Sequence, residues 1–74
     1  LVRGMMGHRK QREGQILRLL DAGVGHIPDM VGSMYKGVDK RLHPAAGRSV
    51  LAHLIDLRDR GEVTGAGEDW ARVA

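Results

Sequence analysis

Glu13, Ile16, Leu17 and Leu20 fall at the i, i+3, i+4, i+7 spacing of one helical face, which predicts a helix over Arg9–Ala22. Gly14 weakens that helix by about 1 kcal/mol relative to alanine, so packing must hold it. Gly23 is the expected stop. The same stripe recurs at Ile27, Met30, Val31 and Met34, with Pro28 and Asp29 suited to a helix's first turn, and predicts a second helix over Pro28–Tyr35. Gly37 breaks it, and an irregular connection follows, with a 3₁₀ turn expected at Asp39–Leu42 and with Val38 and Leu42 as its expected anchors to the core. A third helix is predicted over Pro44–Arg60, burying Ala46, Val50, Leu51, Leu54 and Leu57 and leaving Arg48, Ser49, His53, Asp56 and Asp59 outside. After Gly61 the pattern changes to strand, glycine-containing loop, strand: Glu62–Thr64, Gly65–Gly67, Asp69–Val73. Val63, Trp70 and Val73 are the residues best able to fix this hairpin to the helices.

Three helices followed by a hairpin, with a short pairing segment near His26–Ile27, is the element order of a winged helix. The predicted fold class is therefore mainly α, a winged helix with a C-terminal β-hairpin wing. Residues 8–74 form the domain, and residues 1–7, which lack the stripe, read as a linker or seam to a preceding domain. The chain opens on Leu1 instead of Met, as expected for a piece of something longer. The predicted core is Leu17, Leu20, Val31, Val50, Leu51 and Leu54. It must be aliphatic, because the 74 residues include one Trp, one Tyr and no Phe. A chain this short buries a small share of its surface, and with no cysteine there is no disulfide to reinforce it. A reducing, cytoplasmic setting is the expectation. No apolar run approaches the ~18 residues of a membrane span, and no membrane partner is expected.

Charge sharpens the picture through its distribution. The net charge is +3. Leu1–Arg18 holds five basic residues against Glu13, and Lys36–Arg48 holds four against Asp39. The C-terminal third carries Asp56, Asp59, Glu62, Glu68 and Asp69 against three arginines. Phosphate contacts, if the domain makes them, are expected from Arg9, Lys10 and Arg12 or from Lys36, Lys40 and Arg41.

Catalytic chemistry finds little purchase. His8, His26, His43 and His53 form no i, i+3 or i, i+4 pair, whereas a zinc site needs three or four convergent ligands. His43 and His53 stand about 15 Å apart in helical rise. His26 and His43 read as caps of helix starts, and His53 as a surface residue. Ser33, Ser49, Thr64 and Tyr35 have no local base and orienting partner. The glycines make no phosphate loop, because no GxxxxGK[ST] occurs. No catalytic and no metal-binding residue is assigned, and no cofactor is expected in this chain.

The third helix stands where a winged helix places its reading helix. Base readout in the major groove relies on Arg, Lys, Asn or Gln. This helix offers Arg48, Ser49 and His53, then Asp56 and Asp59, with no Asn or Gln. The wing carries Glu68 and Asp69, which a phosphate backbone repels. The position is that of a recognition helix, but the chemistry is not.

The stretches HRKQREGQIL (His8–Leu17), IPDMV and MYKGVDKRLHPAAGRSVLAHL (Met34–Leu54) make the chain similar to one family. It resembles the C-terminal winged-helix domain of metallo-β-lactamase-fold hydrolases of the lactamase-beta-2-like group. The most specific part runs from Tyr35 through Val38-Asp39 and Leu42-His43-Pro44 to Ser49–Leu54. Gly47 departs from the better helix former usual there, and His26 from the usual Thr or Ser. The resemblance implies a parent that is a zinc-dependent hydrolase, with its HxHxDH zinc motif in a preceding N-terminal domain. Some relatives are endoribonucleases. It further implies that this domain packs beside the active-site mouth and shapes substrate access, with the N-terminal metallo-β-lactamase domain as its partner and RNA as a candidate one. A free-standing winged-helix DNA-binding transcriptional regulator is the alternative, and a pure packing or dimerisation module a third reading.

Overall fold

A computed structural model describes residues 2–73, with side chains from residue 10 onward. Its elements are α1 (Val2–Asp21), α2 (Ile27–Met34), a 3₁₀ turn (Lys40–Leu42), α3 (His43–Asp59), β1 (Val63–Ala66) and β2 (Asp69–Arg72). This is the winged-helix order. The largest departure from expectation is at the start, where helical backbone extends to Val2 instead of beginning at Arg9. Once a helix is nucleated, each added residue gains a hydrogen bond, so Met5, Met6 and Arg3 extend it without any apolar stripe.

The helix ends are set by backbone devices. The N–H of Glu62 donates to the Leu57 carbonyl (3.0 Å) and that of Gly61 to Arg58 (2.9 Å), the paired bonds of a Schellman stop. Gly61 takes φ 79°, a left-handed conformation cheap only for glycine. Gly23 ends α1 with the same pair of bonds, from Val24 to Leu19 and from Gly23 to Leu20.

The core gathers one stripe from each helix and one residue from each strand. Ile16 and Leu20 come from α1, Ile27, Met30 and Val31 from α2, Val50, Leu54 and Leu57 from α3, and Val63 and Trp70 from the hairpin. Of the predicted core, Leu20, Val31, Val50 and Leu54 are buried, whereas Leu17 and Leu51 pack against it half-buried. Ile16 and Leu57, on the same expected faces of α1 and α3, are fully buried. Ala46 also packs against the core only half-buried. Val38 (36 % exposed) and Leu42 (58 %) do not anchor the connection. Its turn is shaped locally at Asp39, whose carboxylate accepts from the backbone N–H of Arg41 (2.9 Å).

β1 and β2 pair antiparallel, with Val63 opposite Arg72 and Gly65 opposite Trp70. The first strand runs two residues further than expected, leaving a two-residue turn at Gly67–Glu68. Gly67 stands at φ 62°, and among the described residues no non-glycine has positive φ, which marks a type II′ turn. Val73 is 49 % exposed and does not fix the hairpin. Trp70 does so instead: it is buried, its indole N–H donates to the Gly67 carbonyl (3.0 Å), and the Arg58 guanidinium lies 5.4 Å over its ring.

The expected pairing segment is present. His26 bridges Asp69, the N–H of Trp70 donates to the Gly25 carbonyl (2.9 Å), and the N–H of Ile27 donates to Glu68 (2.8 Å). The wing thereby folds back onto the start of α2. Ion pairs tie the remaining seams. Arg60 reaches Glu13 on α1 (2.7 Å) and Asp56 on its own helix (3.0 Å), and Arg72 reaches Asp21 (3.8 Å).

Candidate functional site

Two surfaces carry the charged residues singled out in the sequence. The first lies where α1 meets the end of α2. Lys10 is exposed, while Arg12 is half-buried with its guanidinium 4.6 Å over the Tyr35 ring. Tyr35 caps the C-terminus of α2 and Lys36 follows it, exposed. The fold thus brings Arg12 beside the start of the second basic segment. Arg9 is on α1, with its side chain outside those described.

The second surface is an open groove of about 650 Å³ between α2, the start of α3 and the wing turn. Ile27, Val31 and Leu51 line it, with Lys40 and Arg48 among its polar residues and Glu68 on the wing side. Lys40 and Arg41 are adjacent on the 3₁₀ turn but differ in availability. Arg41 is held by Asp39 through its Nη2 (3.1 Å) and Nε (3.4 Å), which keeps the Asp39 carboxyl below its ordinary value. Among the described residues, no carboxylate pairs with Lys40 or Arg48.

Sequence reasoning points to Lys40, gives Arg48 only a minor part, and does not anticipate the groove. The available signal is Gly47, a residue without a side chain on the face of α3 turned toward α2. A Cβ there would meet Ile27 Cγ2 at 3.6 Å and Val31 Cγ2 at 3.9 Å, ordinary contact distances.

Both histidines expected to cap helices do otherwise. His26 is the N-cap residue of α2 by position, but its side chain makes no capping bond. The wing backbone supplies the cap through the Ile27 bond to Glu68, and the imidazole turns to Asp69, with Nδ1 3.0 Å from Oδ1. That hydrogen bond raises the His26 imidazole above its ordinary value, against some desolvation and with help from the charges of Asp69, Asp29 and Glu68. His43 is the first residue of α3 and Leu42 its N-cap, so His43 does not stand in the capping position. Its Nε2 is buried with no hydrogen-bond partner. His53 is half-buried, as is Asp56, which pairs with Arg60.

The exposed side of α3 presents Arg48, Ser49, Ala52 and Ile55. Ser33 and Ser49 lie exposed on their helices. Among the described residues no three His, Asp or Glu side chains converge as metal ligands.

No curated relative and no solved structure gives a significant match to the chain. A family model does, over residues 27–70, which takes in α2, the 3₁₀ turn, α3 and the hairpin to Trp70 and leaves α1 outside. With more than half of its residues so matched, the chain belongs to the beta-lactamase associated winged helix domain family.

Proposed function

We propose that this chain is a non-catalytic accessory domain of a metallo-β-lactamase-fold, zinc-dependent hydrolase, packing beside the catalytic domain and shaping substrate access. The observation that carries the reading is membership of a family of winged-helix domains associated with beta-lactamase-fold proteins. The surface chemistry supports it. The helix in the reading position turns Arg48 and Ser49 to solvent, followed by Ala52 and Ile55, a face suited to protein and poor in base-reading groups. The wing tip presents Glu68 and Asp69. In this reading zinc is bound by the parent's other domain, residues 1–7 form the seam to it, and the protein works in the cytoplasm. RNA is a candidate substrate of the parent, met here through phosphates at Lys10, Lys36 and Lys40, the exposed lysines of the basic set.

The parent protein tests this directly. Its reading frame should carry HxHxDH upstream of Leu1. Removing residues 8–74 from the purified parent should leave its zinc content unchanged while altering KM for the larger substrates. A parent without that motif, or a chain that binds one DNA sequence tightly and ceases to do so on Arg48→Ala, overturns the reading in favour of a DNA-binding regulator.

A further inference from the structure

The groove between α2, α3 and the wing turn combines features that solvation of a surface does not call for. Its floor is aliphatic, from Ile27, Val31 and Leu51. Gly47 leaves that floor uncovered at a helical position where an alanine would fit without collision. Lys40 and Arg48 line it with no carboxylate partner among the described residues, although Arg41, Arg60 and Arg72 are all paired. Leu51 continues the apolar surface out of the groove to exposed Ile55, one turn along the same face of α3.

We infer that this groove is a docking site for a protein segment that presents an aliphatic side chain beside a carboxylate. The aliphatic side chain fills the space over Gly47, and the carboxylate meets Lys40 and Arg48, the latter able to accept it in a two-pronged bond. An open groove with exposed Ile55 one turn beyond Leu51 fits an extended chain better than a small molecule, which needs most of its surface enclosed. RNA fits it poorly. Single strands bind by stacking bases on aromatic rings, and both rings of this chain are engaged, Trp70 buried under the wing and Tyr35 beneath Arg12. The inference goes beyond the proposed function and holds whether or not the partner is a catalytic domain.

The test is a titration of the ¹⁵N-labelled chain with N-acetyl-leucyl-glutamyl amide, with the leucyl-glutaminyl and glycyl-glutamyl analogues as controls. Saturable shifts are expected at Gly47, Arg48 and Leu51, with Kd on the order of 1 mM for so short a probe. Each control should bind about tenfold more weakly, as should Lys40→Glu and Arg48→Glu, exposed changes whose folding is checked by the thermal midpoint. Gly47→Leu should fill the groove and abolish the shifts. Equal binding of the glutaminyl analogue, shifts confined to another face, or no shift at about 10 mM probe overturns the inference. So does a single-stranded oligonucleotide that perturbs Gly47 and Leu51 where the peptide does not.

Discussion

His26 and Asp69 join the wing to the start of α2 through one side-chain hydrogen bond of 3.0 Å. Asp69, helped by Asp29 and Glu68, raises the imidazole above its unfolded value near 6.5. A group with a raised folded pKa contributes stability in full below its unfolded pKa and loses it as pH rises through the folded one. The wing should therefore be held more firmly at about pH 5.5 than at about pH 8, and Asp69→Asn should flatten that slope. Thermal midpoints across this range check it, and an identical slope in the variant would show that the His26–Asp69 contact contributes nothing. Asp39 works in the opposite sense: its hydrogen bonds from Arg41 lower its pKa, so its contribution is present above the ordinary carboxylate range and disappears as pH falls through the lowered value. Deeper in the fold, Leu54 is fully buried in the core that all three helices share. Leu54→Ala should cost about 2–5 kcal/mol, enough to unfold so small a domain, as chemical denaturation would read. An unchanged midpoint would remove Leu54 from the core.

At the scale of elements, two glycines make contrasting demands. Gly47 lies within α3, where alanine is favoured by about 1 kcal/mol, and its Cβ would reach Ile27 and Val31 at ordinary contact distance. Gly47→Ala should raise the thermal midpoint by about 4–8 °C. Gly25 precedes α2, and a Cβ there would collide with the Trp70 carbonyl, on the residue whose N–H already donates to Gly25. Gly25→Ala should therefore detach the wing from α2, seen as faster amide exchange at Ile27 and Trp70. A neutral effect at Gly25 would mean that the wing packs elsewhere. The Arg60 bridge to Glu13 closes α3 onto α1 from a half-exposed position, and such pairs are worth about 1 kcal/mol or less each. The elements are thus held chiefly by apolar stripes and by backbone bonds at the wing.

For the molecule as a whole, charge is the property most open to test. If RNA is met through phosphates, neutralising Arg9, Lys10 and Arg12 should weaken binding across all sequences and lower the salt slope by about 1 for each phosphate no longer neutralised. Within that set Lys10 should matter more than Arg12, whose guanidinium is already engaged over Tyr35. Salt titrations of the isolated chain and its parent read this, and no binding by either at low salt would leave the basic excess to solvation alone. The isolated chain should also hold no stoichiometric zinc and hydrolyse neither esters, lactams nor RNA. One tightly bound zinc per chain on metal analysis would refute that.

The periodic stripes at Ile16–Leu20, Ile27–Met34 and Val50–Leu57 determined three helices, and the glycine-punctuated segment after Gly61 determined the hairpin. These signals are local: a helix or strand that must bury one face writes its period into the chain. The same stripe logic identifies Leu20, Val31, Val50 and Leu54, which are buried. It also identifies Leu17 and Leu51, which stay half-buried because period fixes a face only to within a residue or so. What lies between elements was decided in three dimensions. Val38 and Leu42 are apolar yet exposed, while the Asp39–Arg41 bonds shape the turn between them locally. His26 reads as a cap in sequence, but its partner Asp69 is 43 residues away, and only the folding back of the wing brings them together. The groove is of the same kind: Ile27, Lys40, Gly47 and Arg48 come from three different elements, and their alignment follows from how α2 packs on α3. Residue type set each side chain's chemistry, and tertiary packing decided which side chains share a surface.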